Sequence, residues 1–405
     1  MRTSEQHLDA TLLISNGVVC TPVGEIANGY VAIAGNEVAY VGDAEPAVSP
    51  QCRQIDANGG YVLPGFVDLH VNGGGGRDIT EGTREAVAGI VAGHLMCGTT
   101  GLLIAVTGPT EQVALDGLRN IGEVASGPPV GARLLGAHVE GPFVNPKRQG
   151  PVFRGFPDVT SPNVDAIVRL MDAAGGWLKI MTMAPELSGA LDVIEWLVAH
   201  DVVSSIGHTE ATYEEANRAL DAGATYAAHL YNQMTPLTHR EPGTVGALLG
   251  SDAVVEVVAD GFHVHPGAID VAIRCKGLHR VVLASDATEV VGTNLDHFIL
   301  PVGEGLRVEV RDGRTWGPRG EIIGSVLQMN HAVRNMVRWF DLPLHAVVAA
   351  ATTTPASVLG LEDRLGSLEA GKLADVAILD REFEVTHTLV VGAVVYERHA
   401  AGKDE

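Results

Sequence analysis

The sequence predicts an α/β fold, a (β/α)8 TIM-like barrel joined to a small β-sandwich domain formed by both chain termini. Three observations carry that prediction. From Pro64 onward, short runs rich in Val, Ile, Leu and Ala alternate with helix-like stretches, as parallel strands buried on both faces do. Both ends of the chain read instead as β structure with no helical period. Finally, His70, Glu140, His208, His229, His263 and Asp286 each close one of the apolar runs. In a barrel of parallel strands the C-terminal strand ends share one rim, so residues far apart in sequence meet around one cavity.

Residues 10–63 contain the strand-like segments TLLISNGVV, YVAIAG, EVAYVG and YVL, and VAIAGNEVAYVG has the form of a tight hairpin. Alternation then begins. FVDLHV precedes a helix over 83–97 and GLLIAVTG one over 110–124, while LLGAHVEG leads through a long loop to a helix over 162–174. LKIMTMAP precedes 188–200, VVSSIGH precedes 212–222, and TYAAHL runs into a loop and a short helix over 243–249. VVEVVADG precedes 267–276, and RVVLASDA brings the strands to eight, the number a (β/α)8 barrel needs. Residues 287–325 are Gly-rich and hairpin-like, placed after the eighth strand to lie over the barrel mouth. Helices over 326–340 and 343–351 follow, and ADVAILD and HTLVVGAVVYE return to β pattern. The expected division is therefore residues 1–63 as the N-terminal part of the sandwich, 64–365 as the barrel, and 366–405 as the C-terminal part.

Composition narrows the class. The chain has 405 residues, of which 46% are apolar, enough for a large core. Its formal net charge of -22 argues against nucleic acid or an anionic membrane surface as partner, and means that an anionic substrate needs a local cationic pocket. Cys20, Cys52, Cys97 and Cys275 are scattered without a CxxC pair, and read as buried free thiols of a cytoplasmic protein. The N-terminus MRTSEQHLDATLL lacks a signal pattern, and no apolar run reaches membrane-spanning length.

Glu140, His208 and His229 carry the chemistry. Two imidazoles and a carboxylate from three strand ends form a three-ligand metal set that leaves a position for water. A divalent metal lowers the pKa of such water from about 15.7 to roughly 7. Asp286, on the eighth strand, is placed to accept the water's proton and deliver it to a leaving nitrogen. Zn, Fe, Mn and Co all accept N/O ligands of this kind, with zinc the leading expectation. His70 and Asn72 form H-x-N on one face of the first strand. An H-x-H pair would make a second metal site. Asn is a poor ligand for zinc-like ions, so one ion per subunit is expected, with His70 an occasional second-site ligand or water-positioner. Gly73–Gly76 permits close backbone approach to a ligand, and equally suits a flexible turn.

PGFVDLHVNGGGG, HVEGPF, IGHTEATYEEA, HLYNQMTPLTHREPG, ADGFHVHP, SDAT and GSVLQMNHAVRN together resemble the N-acetylglucosamine-6-phosphate deacetylase family of the amidohydrolase superfamily. The resemblance spans nearly the whole chain. It implies that Glu140, His208 and His229 bind the metal and that Asp286 is the general acid/base. It further implies that Arg240, His263 and the Asn232–Gln233 segment bind the phosphorylated amino sugar, partly across a homodimer interface. Two departures stand out. Where family members carry a histidine that polarises the acetyl carbonyl, this chain reads Gly150-Pro151-Val152, with Arg154 a candidate replacement. Loss of such a donor costs on the order of a hundredfold or more in rate. Gln233 replaces a small residue beside the substrate. These departures leave open the same chemistry on a different N-acyl amino sugar or N-acyl amine. A catalytically weak binding protein is the reading from a different class, and bound metal without turnover would mark it.

Overall fold

A computed structural model describes residues 8–108, 110–149, 161–300 and 305–398. The rewritten stretch with Gly150, Val152 and Arg154 lies outside the described residues. The chain divides into two compact units. One combines the residues up to Val67 with Leu95–Gly101 and those from Met329 onward; the other comprises Asp68–His94 and Leu102–Gln328.

The terminal sheet is built from β1 (Leu12–Thr21), β2 (Gly24–Ala34), β3 (Glu37–Gly42), β4 (Arg53–Asp56) and β5 (Tyr61–Pro64). These are joined by three strands from the other end of the chain. Alternation sets its faces: Leu12 and Ile14 of β1 join one apolar cluster with Val31, Ile33, Val376 and Ile378, while Leu13 joins another with Ala10, Ala32 and Cys52. The predicted hairpin is present, β2 and β3 pairing antiparallel around Gly35, whose φ of 58° is glycine's natural territory. β4 was not foreseen: RQID exposes three of its four residues and carries no apolar signal, yet it pairs parallel with β1.

The barrel strands are β6 (Phe66–Val71), then β9 (Thr99–Val106), β10 (Arg133–Glu140), β11 (Leu178–Met183), β12 (Val203–Ile206), β13 (Tyr226–Ala227), β14 (Val254–Val257) and β15 (Val281–Leu283). Between the first two, β7 (Gly73–Gly74) and β8 (Arg77–Asp78) form a small antiparallel hairpin. The eight long-range strands neighbour one another in sequence order, and a parallel bridge between Val71 and Ala287 brings the first and last together. Every residue of β6 and β9 is buried, the burial on both faces that the apolar runs predicted. The intervening helices are α1 (Arg84–Gly93), α2 (Glu111–Ala125), α3 (Val164–Ala174), α4 (Ala190–Val198), α5 (Tyr213–Asp221), α6 (Gly243–Gly250) and α7 (Pro266–Lys276), within a few residues of expectation. Thr83, Thr110, Asn163 and Thr212 start four of them by accepting a hydrogen bond from the backbone N–H three residues on. Cys275 departs from the expected burial: it is exposed, because α7 turns Ile269, Ala272 and Lys276 inward and leaves Cys275 off that stripe.

After β15 a three-stranded antiparallel sheet forms from β16 (His297–Leu300), β17 (Leu306–Arg311) and β18 (Arg314–Trp316). Its base is tied to the end of the eighth barrel strand, with Ser325 N–H donating to Asp286 O at 2.8 Å and Thr288 N–H to Ser325 O at 3.0 Å. The Arg314 guanidinium stacks on Phe262, 3.7 Å from the ring centroid. Helices α8 (Met329–Trp339), α9 (Leu344–Ala350) and an unforeseen α10 (Thr353–Val358) lead to β19 (Val376–Leu379), β20 (Val385–Val390) and β21 (Ala393–Glu397), which complete the terminal sheet in the order β21-β20-β19-β5-β1-β2-β3.

Within the Gly73–Gly76 run, Gly75 and Gly76 make the turn of the β7–β8 hairpin at φ 59° and 77°. A Cβ on Gly73 would lie 2.6 Å from Glu289 N, and one on Gly75 2.6 Å from Gly89 O, so backbone packs on backbone here. Beside this hairpin Glu289 is buried, its Oε2 without a hydrogen-bond partner among the described residues. Burial, reinforced by the nearby Asp78 and Glu81 carboxylates, holds its carboxyl well above the usual range. The folded state thus keeps a proton that the unfolded chain, with a Glu pKa near about 4.3, releases. Stability therefore falls as pH rises from about 4.3 toward the raised value. Glu289→Gln is expected to flatten that decline and to raise the unfolding free energy at pH 8 by more than at pH 5, by about 1–2 kcal/mol. Denaturant unfolding at the two pH values checks it.

Candidate metal centre

Glu140 ends β10, whereas His208 and His229 stand two residues beyond β12 and β13. Their ligand atoms converge. His229 Nε2 lies 2.8 Å and His208 Nε2 3.0 Å from Glu140 Oε1, and the two Nε2 atoms are 3.1 Å apart. All three residues are buried. Both histidines reach this geometry at a price in backbone strain, with φ of 47° at His208 and 30° at His229, values that side-chain-bearing residues rarely adopt. The chain turns back at the strand end there, and the ring turns inward with it.

The tautomers decide what this cluster can hold. His208 Nδ1 donates to Arg148 O at 2.6 Å, and His229 Nδ1 to Asn232 O at 3.2 Å. A carbonyl can only accept, so each Nδ1 carries a proton and each neutral ring presents its Nε2 lone pair to Glu140. Two lone pairs and a carboxylate oxygen about 3 Å apart repel one another unless positive charge sits among them. In the absence of a cation a proton has to serve instead, and His229 is placed to take it. Burial opposes this at His229, but the Glu140 hydrogen bond lifts the imidazole above its ordinary range. Burial likewise opposes ionisation of Glu140, and the charges of His70 and His208 hold it well below the usual carboxylate range. The same demand for positive charge is met by a divalent ion, and the donor set of two imidazoles and one carboxylate suits it.

Asp286 lies three residues beyond β15, also with positive φ (50°), and is buried. Its Oδ1 accepts from Asn72 Nδ2 at 2.7 Å and stands 3.7 Å from His70 Nε2. So the Asn of the H-x-N pair supports Asp286. His70 is wholly buried on β6, with Nδ1 bonded to Glu256 Oε1 at 2.8 Å and Nε2 3.6 Å from Glu140 Oε2. Burial would lower the affinity of His70 for a proton, but the Glu256 and Glu140 carboxylates raise it well above normal.

The residues expected to hold sugar and phosphate are more spread out. His263 lies six residues beyond β14, its Nδ1 bonded to Asp260 Oδ2 at 2.6 Å. Burial works against protonation of this ring, while the Asp260 hydrogen bond and charge raise it. Asn232 holds the turn after His229, donating its N–H to His229 O at 2.9 Å. Gln233, at φ 52°, offers its carbonyl to Thr209 N–H at 3.0 Å. Arg240 stands exposed in the loop before α6.

Sequence reasoning missed three buried residues beneath the rim. Glu256 and Asp68 sit inside the apolar runs VVEVV and FVDLHV, and His138 lies two residues before Glu140. A charged residue within a strand buried on both faces was the available signal. His138, Glu256 and His70 also cluster as possible ligands, but both ring nitrogens of His138 are engaged, with Leu69 O at 3.0 Å and Thr182 Oγ1 at 2.7 Å.

The chain is similar to known proteins over nearly its whole length. The sequence model of the amidohydrolase family matches residues 61–395. The chain is 33% identical over 392 residues to N-acetylglucosamine-6-phosphate deacetylase of Bacillus subtilis, covering 95% of this chain and 97% of the relative. It is 32% identical over 378 residues to N-acetylgalactosamine-6-phosphate deacetylase of Escherichia coli, covering 92% and 96%. Among solved structures, a mutant N-acetyl-D-glucosamine-6-phosphate deacetylase from Mycobacterium smegmatis, in complex with N-acetyl-D-glucosamine-6-phosphate, superposes with a TM-score of 0.86 at 32% identity, over 95% of this chain and 99% of that one. With identity above 30% sustained over almost the full length of such relatives, the chain belongs to the N-acetylglucosamine-6-phosphate deacetylase family of amidohydrolases.

Proposed function

We propose that this protein is a metal-dependent deacetylase that hydrolyses N-acetyl-D-glucosamine 6-phosphate to D-glucosamine 6-phosphate and acetate. The observation that carries the reading is the convergence of the His208 and His229 Nε2 atoms on Glu140 Oε1, with Asp286 on the neighbouring rim. Glu140, His208 and His229 hold one divalent ion, zinc by preference, as the mixed nitrogen and oxygen donors suit it. When bound, such an ion supplies Lewis acidity toward the acyl oxygen and brings the pKa of a water to near 7. Asp286 takes the proton of the attacking water on its carboxylate and returns it to the amide nitrogen as the C–N bond breaks. Asn72 keeps Asp286 aimed by donating to Oδ1, which leaves Oδ2 for the proton.

His263, oriented by Asp260, and the Asn232–Gln233 turn line the sugar side. Arg240 anchors the phosphate with the planar fork of its guanidinium. Its exposure, together with the family resemblance, supports a homodimer in which this arginine serves the partner's site. Four scattered cysteines without a CxxC pair suit a cytoplasmic enzyme; no helix among the described residues is long and apolar enough to cross a membrane. A second reading, the same chemistry on an epimeric or otherwise different N-acyl amino sugar, is favoured by Val152, by Gln233 and by the N-acetylgalactosamine-6-phosphate relative.

Acetate release by metal-loaded protein from N-acetylglucosamine 6-phosphate, N-acetylgalactosamine 6-phosphate and unphosphorylated N-acetylglucosamine separates these readings. Preference for the first is expected, with activity lost on chelation and restored by zinc; a preference for the galacto epimer moves the assignment to the second reading. Asp286→Asn is expected to keep the metal, measured by elemental analysis, while kcat falls about 10²–10⁴-fold; an active Asn variant removes Asp286 from the proton path. Arg240→Ala should raise KM for the phosphorylated sugar about ten- to a hundredfold, as loss of a charge-assisted bond does, and barely affect the unphosphorylated analogue. Equal changes on both would show that Arg240 is not the anchor.

A further inference from the structure

Glu256 has no part in the roles assigned above, yet three donors converge on it. His70 Nδ1 reaches Oε1 at 2.8 Å, the backbone N–H of His229 reaches the same oxygen at 3.1 Å, and the Tyr226 hydroxyl donates to Oε2 at 3.0 Å. Glu256 is wholly buried in the middle of β14, between apolar neighbours. Taking a carboxylate out of water costs several kcal/mol even where hydrogen bonds satisfy it. An apolar residue would pack there at no such cost.

Two geometric consequences follow from those bonds. Because Glu256 accepts a hydrogen bond from Nδ1, Nε2 is the atom that His70 presents to the rim, 3.6 Å from Glu140 Oε2 and 3.7 Å from Asp286 Oδ1, without a hydrogen-bond partner among the described residues. At His229, the accepted N–H stabilises a φ of 30°, and that turn is what aims His229 Nε2 at Glu140. One carboxylate on β14 therefore sets the direction of two imidazoles on two other strands, β6 and the end of β13.

We propose that Glu256 is a positioning residue, which fixes the presented nitrogen of His70 and the strained turn of His229 and thereby tunes the cation affinity of the Glu140–His208–His229 centre. The affinity part rests on the metal-centre reading; the orientation of His70 does not. Partners that orient metal-ligating histidines from behind are worth about ten- to a hundredfold in metal affinity.

The first test needs no variant at the proposed residue. In ¹⁵N-histidine spectra of the intact protein, with His70 assigned by comparison with His70→Gln, Nδ1 of His70 should be protonated; a ring protonated on Nε2 alone overturns the proposal. The second measures zinc affinity by chelator competition in Glu256→Gln, with the melting temperature recorded alongside. A ten- to hundredfold weaker affinity in protein that remains folded is expected, and unchanged affinity overturns the positioning role. His208→Ala serves as the control for the centre itself: if it binds zinc as tightly as the wild type, the metal-centre reading fails, independently of Glu256.

Discussion

The interaction on which this site depends is the burial of negative charge at the rim of an apolar barrel. Asp68 and Glu256 are wholly buried, Glu140 and Asp286 nearly so, and their neighbours are the imidazoles of His70, His138, His208 and His229. Carboxylates at that depth persist only if something positive or hydrogen-bonding meets each one. Two of them show how sensitive the balance is. Burial pushes Asp68 up to about 7, although Ser285 and His70 N–H groups donate to it. Burial acts on Glu256 too, but the charge of His70 brings it down to about 2. The difference lies in the partner, since both are equally remote from water. A divalent ion among Glu140, His208 and His229 would complete the same logic where three electron-rich atoms face one another.

Backbone strain at the strand ends is the second element of the design. His208, His229 and Asp286 all have positive φ, each costing on the order of 1–3 kcal/mol. Such conformations persist where surrounding bonds over-determine them. His229 has its N–H on Glu256 and its Nδ1 on Asn232 O; Asp286 has its N–H on His70 O and its carbonyl on Ser325 N–H. Apart from the local bond to Asn232 O, these bonds come from other strands and from the base of the three-stranded sheet, so the site is held largely by the closed barrel rather than by local sequence preference.

Much of the architecture was legible because burial on both faces leaves an unmistakable trace. FVDLHV and TTGLLIAV are wholly buried strands, and four of the helices between strands begin at Thr or Asn caps. Elements without that trace were missed, such as the exposed strand Arg53–Asp56 and the short helix Thr353–Val358. In the site, the residues at strand ends were found because their position relative to an apolar run is a one-dimensional fact. Glu256, Asp68 and His138 escaped notice because they lie within such runs, where a charged or imidazole side chain gives no hint of which partner it meets. What packs on the glycine run was hidden for a related reason: its neighbours are the backbones of α1 and of the loop after Asp286, distant in sequence.

The sequence by itself determined the alternation of strand and helix, and with it the barrel, the shared rim and the residue types that gather there. It also determined the chemistry available, since two imidazoles and a carboxylate can hold a cation and a nearby carboxylate can move a proton. Tertiary structure alone decided which nitrogen each histidine presents, because that depends on which carbonyl or carboxylate takes the other proton, and those acceptors come from Arg148, Asn232 and Glu256. It decided as well that Asn72 serves Asp286 as a hydrogen-bond donor. Hydrogen bonds between groups tens of residues apart are made only when the chain closes, and no local pattern records them.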